Sequence, residues 1–367
     1  MSIDFDAKRW ERVKTDSAKW WAGELKRPLI SAAMKGRTPT RERPDGPWHY
    51  FTSFYGSDYP PEKIVDWFEY NCESTYYWGD SFPMANPYYG AGALAAFLGS
   101  QVENGSGTTW FYPAEVKAAK DLSFKLNPDN PWYRMVLSVY RAAQARFQGM
   151  VQLNMTDLGG GADIISAFRP GENLLLDLYD CPEEIERLMW EVHGAWWEAY
   201  ETIAKTANLN PGYTAWADIF SEEPYYMLQC DFCYMISPEM FERFVLPELS
   251  ASCKRLKNAF YHLDGVGQLP HLDMLLSIPE LKGVQWIPGS GTPSFAHWPE
   301  VYKKIRKAGK LIQLFVDQEY GWDIIDVIAD QLGSAEGIIL LGTGDMRSPS
   351  QAEPAKIEKL LDRYGCL

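Results

Sequence analysis

The feature that most constrains this chain is a series of short apolar runs, most of them closed by an aspartate and followed by a helical stretch. Val151–Met155 ends at Thr156-Asp157, Tyr226–Cys230 at Asp231, Ala259–Leu263 at Asp264, Leu311–Val316 at Asp317, and Gly337–Leu341 at Gly342-Thr343-Gly344-Asp345. A further run, Val284–Ile287, ends in Pro288-Gly289-Ser290-Gly291. Runs of this length read as buried strands. Helices between them are signalled by Asp180-Cys181-Pro182-Glu183-Glu184, with Asp180 as the cap of a helix reaching about Ala207, and by Ser237-Pro238-Glu239. Two more helices are expected, from about Tyr320 and over about Ala352–Tyr364. Such alternation predicts a parallel sheet covered by helices. With Leu29–Ala33 and a strand near 213–217 there are about eight strands, which suits a TIM (β/α)8 barrel. A doubly wound open sheet is the alternative. No strand–GxGxxG–helix fingerprint and no GxxxxGK[ST] loop is present, and Gly159-Gly160-Gly161 and Gly289-Ser290-Gly291 read as tight turns into helices.

The rest of the chain attaches to that frame as one domain over residues 1–367. Residues 1–28 form a helical N-terminal extension, with Trp10, Trp20 and Trp21 mixed among charges. Residues 34–60 read as loop, and Pro61–Glu69 as a helix with proline at its start. Residues 80–135 form an irregular insertion or cap with a strand at Thr108–Tyr112.

Composition narrows the function classes. Apolar residues make up 46% and charged residues 23%, which describes a folded chain. The net charge is −14 and there is no basic run, so nucleic acid is excluded as the expected partner. Six cysteines at irregular spacing fit a reduced, cytoplasmic protein. The start Met1-Ser2-Ile3-Asp4 lacks signal-peptide regions, and no apolar stretch reaches membrane-spanning length, so no membrane partner is expected. The chain is compatible with a homodimer.

A barrel gathers the C-terminal ends of its strands at one mouth, which would bring Asp157, Asp231, Asp264, Asp317 and Asp345 toward one site. Aspartate is also a common turn residue, and each could serve only that role. His262 and Asp264 are the sharpest pair: two residues apart on a strand, they point to the same face and can share a metal ion, a proton or a substrate group. Gln285 and Trp286 sit at a strand end, where Trp286 either stacks on a ligand or fills the core. His271 either reaches the mouth or lies on a helix surface. Cys230 and Cys233 form a CxxC with no second pair, a weak signal for zinc or redox chemistry.

The chain resembles the uroporphyrinogen decarboxylase superfamily over residues 150–367. The residues carrying this are Asn154–Leu178 with Thr156-Asp157-Leu158-Gly159-Gly160-Gly161-Ala162-Asp163, the Asp-Cys-Pro-Glu-Glu start, Ser237-Pro238-Glu239-Met240-Phe241, His262-x-Asp264-Gly265 and Leu341-Gly342-Thr343-Gly344-Asp345. The resemblance implies a TIM barrel. It also implies one of two chemistries: tetrapyrrole decarboxylation, or zinc-dependent transfer of methyl groups to or from corrinoid proteins or coenzyme M. The decarboxylases' carboxylate-clamping segment corresponds to Ser31-Ala32-Ala33-Met34-Lys35-Gly36-Arg37 and is mostly missing, and their late Leu-Gly-His-Gly is Leu341-Gly342-Thr343-Gly344. The zinc methyltransferases' His-x-Cys pair and later Cys correspond to His262, Asp264 and a position near Thr343. Zinc accepts imidazole and carboxylate, so the resemblance implies a site of His262, Asp264 and a further acid.

The expected activity is therefore metal-assisted transfer of a methyl group from a small methylated or methoxylated substrate to a corrinoid protein. His262, Asp264 and Asp231 would be catalytic, with His262 and Asp264 as zinc ligands. Asp157, Trp286, Gln285, Asp317 and Asp345 would bind the small-molecule substrate. Two alternatives are a decarboxylase or lyase acting on a small organic acid, and a non-catalytic binding or accessory protein.

Overall fold

The computed structural model describes residues 3–207, 212–348 and 353–367. Its strands are β1 Leu29–Lys35, β2 Thr75–Gly79, β3 Met84–Ala85, β4 Gln101–Gly105, β5 Thr108–Tyr112, β6 Gln152–Leu153, β7 Tyr225–Gln229, β8 Asn258–Asp264, β9 Leu281–Ile287, β10 Leu311–Phe315 and β11 Ile338–Asp345. Seven form one sheet in the order β2-β1-β11-β10-β9-β8-β7. All neighbours in it are parallel except β1 and β2. Each of β7 to β11 lies beside its successor in sequence, and the last lies beside the first strand of the chain.

The continuous sheet is thus seven-stranded, where a closed ring of eight parallel strands was expected. β3 and β6 pair in parallel apart from it. The segment expected as a strand near 213–217 forms no ladder: Tyr213 bridges Ser221, and the Thr214 carbonyl accepts from the Met155 amide at 2.7 Å. Asp180 does not cap the long helix Pro182–Ala207 but ends the preceding helix, Glu172–Asp180. The helix expected from Tyr320 starts at Ile324, because Asp317 takes the Tyr320 amide at 2.6 Å in a turn. The last helix is Pro354–Arg363, and its expected start at Ala352 falls outside the described residues. The 80–135 region is more ordered than its composition suggests. It contains β3, the β4–β5 hairpin and the start of the helix Pro131–Phe147, capped by the Asn130 side chain. None of the described helices is long and apolar enough to cross a membrane.

Register sorts the residues into layers. Directly paired residues on parallel strands share a face. One level therefore carries Met227, Phe260, Gly283 and Leu311, and the next carries Gln229, His262, Gln285 and Gln313. The same face of β1, β10 and β11 carries Ser31, Ala33, Phe315, Leu341 and Thr343, which line a cavity of about 240 Å³. The opposite face is covered by helices, as where Trp286 meets Trp298 edge-on at 5.3 Å.

The N-terminal helix Ala7–Trp21, capped by Asp6 through the Arg9 amide at 2.8 Å, covers the far end of the sheet. Trp20 stacks on Phe260 with centroids 6.1 Å apart and donates its indole N–H to the Ile338 carbonyl at 3.2 Å. Phe260 fits there because Gly283 opposite has no side chain. A Cβ on Gly283 would lie 2.1 Å from the Phe260 ring and 2.8 Å from the Leu311 carbonyl oxygen. Gly283→Ala is therefore expected to destabilise the fold by ~1–3 kcal/mol through overpacking. It should lower the denaturation midpoint at unchanged slope; an unchanged midpoint would contradict this packing.

Candidate functional site

The polar layer holds the site. His262 is flanked in register by Gln229 on β7 and Gln285 on β9, and Gln285 by Gln313 on β10. His262 Nδ1 bonds the Gln285 amide oxygen, and Gln285 Nε2 donates to the Gln313 amide oxygen. An amide oxygen only accepts, so Nδ1 carries the imidazole proton and Nε2 is left with its lone pair. Nε2 faces the carboxylate of Asp264 at 3.8 Å. Trp216 stands edge-on to the imidazole, centroids 5.0 Å apart. Burial holds the His262 pKa below the ordinary range, opposed by Asp264 and Gln285. The ring is therefore a neutral ligand or base at pH 7.

Asp231 completes a triad. One ligand atom each from Asp231, His262 and Asp264 lie within 4.8 Å of one another, with Asp231 the most open of the three. Asp231 sits at the end of β7, where the chain turns, and its own amide and that of Phe232 donate to the Asp163 carboxylate at 3.0 and 2.7 Å. Asp163 thereby fixes the backbone that presents Asp231. Burial raises the pKa of Asp231, and the Asp264 carboxylate raises it further. Asp163 is raised by burial and then by Asp231. Gathering carboxylates out of bulk water favours either a proton or a cation among them.

Other acids approach without joining the triad. Asp157 is buried, and burial pushes its pKa up to about 7 against the opposing Gly159 amide, with Asp231 adding to the rise. Its Oδ1 accepts from Gly159 at 2.8 Å and its carbonyl from Ala93 at 2.8 Å, so it also holds a turn. Asp218 lines the 240 Å³ cavity with Met84, Phe315 and Val316. Burial pushes its pKa up to about 7 despite a hydrogen bond from Asn154 at 3.0 Å. Tyr88 feels Asp157 and Asp231, and Tyr50 feels Asp218. Tyr50 packs edge-on to Tyr88, with centroids 5.6 Å apart, and Phe51 stacks on Tyr88 at 5.1 Å.

The remaining candidates are placed elsewhere. Trp286 lies on the helix-covered face, fully buried, because it follows Gln285 by one residue on β9. Asp317 holds the turn through Tyr320 and Gly321. Asp345 is engaged by Arg347 through its guanidinium at 2.5 Å and its amide at 2.9 Å, and that cation holds its pKa down to about 2. His271 is buried, stacked on Phe241 at 4.5 Å, and bonds the Cys233 carbonyl at 2.9 Å. Sequence reasoning missed Asp163, Trp216 and Asp218. Asp218 had the signal of the others, closing the apolar run Tyr213–Ala217, whereas Asp163 sits inside a helix and acts on a loop distant in sequence.

Neither a protein-family model nor a curated protein matches this sequence. Among solved structures, a methyltransferase from Methanosarcina mazei superposes with a TM-score of 0.59, covering 91% of this chain and 93% of that one at 13% identity. The likeness is one of fold.

The raised Asp218 pKa has a thermodynamic consequence. A carboxyl that titrates higher folded than unfolded costs nothing when both states are protonated, and its penalty grows as pH rises from about 4 to about 7. Each tenfold difference in proton affinity between the two states is worth about 1.4 kcal/mol, so Asp218→Asn should stabilise the protein at pH 8 by a few kcal/mol. The gain should vanish below about pH 4. Equal stability of the two proteins at pH 8 would contradict the burial of this charge.

Proposed function

We propose that this chain is a methyltransferase on a (β/α)8 barrel of the uroporphyrinogen decarboxylase type, moving a methyl group from a small methylated or methoxylated substrate to a corrinoid protein. The barrel reading is supported by the strand order, in which the last strand neighbours the first, by the pairing of β6 with β3, and by the bond from the Met155 amide just beyond β6 to the Thr214 carbonyl. The activity is favoured by the superposition on a methyltransferase and above all by one observation, the Asp231–His262–Asp264 triad.

The triad suits a metal of the zinc class. Three donors, one nitrogen and two carboxylates, are of the ligand types that zinc accepts. The Nδ1–Gln285 bond supports this further, since a ligating histidine commonly has its second nitrogen anchored by a hydrogen bond. Zinc held there would supply Lewis acidity to the heteroatom bearing the methyl group, and the partner's corrinoid would be the acceptor.

The chain's own residues prepare that chemistry. Gln285 and Gln313 lock the imidazole tautomer that exposes Nε2. Asp163 holds Asp231 in place through two amides. Trp216 packs edge-on against the imidazole, and Phe315 lines the 240 Å³ cavity. Without a metal, the raised Asp231 could instead hold a proton for the leaving group.

Protein purified without added metal is expected to carry about one zinc per chain. His262→Ala should lose it, and Gln285→Leu should weaken zinc affinity ~10–100-fold while leaving all three ligands present. Elemental analysis and competition with a chelator read both. Absence of zinc, together with no methyl transfer to any corrinoid acceptor, would sink the reading.

A further inference from the structure

A second cavity, of about 340 Å³, adjoins the acid-bearing one and shares Ala33, Met84 and Thr343 with it. Ser31 and Ala33 line the acid-bearing cavity, and Lys35 is the next residue along the same face of β1. Lys35 opens into the second cavity together with Asn71, Cys72, Thr75 and Tyr77. A lysine enclosed at a strand end, beside a cavity of opposite character, calls for a partner.

The protein supplies little of one. Among the described residues the Lys35 ammonium contacts only the Asn71 carbonyl, at 3.4 Å, and forms no ion pair. Asp345 is its register partner on β11, but both carboxylate oxygens of Asp345 are engaged by Arg347, at 2.8 and 2.5 Å. The other polar groups on the lining are donors as well. No hydrogen bond among the described residues engages the Thr343 hydroxyl or the Asn71 side-chain amide, while the Cys72 thiol is spent on the Met84 carbonyl at 3.3 Å. The Thr75 and Tyr77 hydroxyls are likewise spent, on the Asn71 and Cys72 carbonyls at 2.7 and 3.1 Å, and Ala33, Met84 and Gly344 complete the wall.

We propose that Lys35, Asn71 and Thr343 hold the carboxylate of a small monoanionic substrate whose other end lies in the acid-bearing cavity. The inference rests on the methyl-transfer reading of the Asp231–His262–Asp264 triad, and it names that substrate's class: a methylated or methoxylated carboxylic acid. One ammonium and two neutral donors match a single charge. A dianion such as phosphate would be left undercompensated beside Asp345. Together the cavities match a small-molecule site, typically about 300–1,000 Å³. Placing Lys35 and Asp218 in neighbouring chambers fixes orientation, since a carboxylate is repelled from Asp218 and held by Lys35.

The test uses the full chain as purified, titrated calorimetrically with benzoate, with benzyl alcohol as its neutral counterpart, and with inorganic phosphate. Benzoate is expected to bind more tightly than either, and Lys35→Met to weaken it about tenfold or more while leaving benzyl alcohol unchanged. Burial lowers the Lys35 pKa, with the Cys72 thiol and Asp345 opposing and Arg347 adding to the fall. Wild-type affinity for benzoate should therefore decline at a pH below that of an ordinary lysine, and the Lys35→Met profile should be flat. If Lys35→Met does not fold, the wild-type pH profile and Asn71→Asp, which sets a carboxylate against the bound one, decide instead. Equal binding of benzoate and benzyl alcohol, no binding of benzoate, or unchanged affinity in the variant would overturn the proposal, and tighter binding of phosphate would overturn its carboxylate assignment. Zinc content, measured on the same samples, reports separately on the triad, so loss of the methyl-transfer reading and loss of the carboxylate pocket are distinguishable.

Discussion

Everything distinctive in this molecule depends on one hydrogen-bonded row running across three parallel strands. His262, Gln285 and Gln313 stand at the same level of β8, β9 and β10, and each is hydrogen-bonded to its neighbour. Polar groups in such a position are costly unless paired, so the row pins the register of the sheet as firmly as the apolar residues do. A slip of one residue on β9 would present Trp286 where Gln285 stands and leave both His262 and Gln313 without partners. The same row sets the imidazole's proton on Nδ1 and its lone pair toward Asp264. A sheet-building interaction thereby becomes a chemical one.

Around that row the protein concentrates negative charge that it does not neutralise itself. Asp231, Asp163, Asp157 and Asp218 all titrate above the ordinary carboxylate range because burial penalises the charged form. A divalent cation at the triad would relieve this crowding more effectively than protons, and it would do so where the acids converge. The enclosed Lys35 on the next chamber gives the region polarity along one axis.

Much of this was legible in the residues. The apolar runs ending in aspartate located β7, β8, β10 and β11 to within a few positions, and the spacing of His262 and Asp264 put them on one face, as the structure has them. What the sequence could not supply was which face is the inner one. Gln285 and Trp286 are adjacent, so a strand must separate them, and only the register with His262 assigns the glutamine to the site and the tryptophan to the core. Asp317 and Asp345 satisfy the same pattern as Asp231 but are consumed locally by a turn and by Arg347. The positioning role of Asp163 depends on a contact across 68 residues of chain, which no local pattern encodes.

Asp231, His262 and Asp264 are proposed above all as a metal centre built from nitrogen and oxygen alone. Zinc K-edge X-ray absorption on the purified protein tests this most directly. A first shell of nitrogen and oxygen at about 2.0–2.2 Å is expected, with imidazole scattering that disappears in His262→Ala. A sulfur shell at about 2.3 Å would contradict it, by moving the metal to cysteines that the triad does not contain.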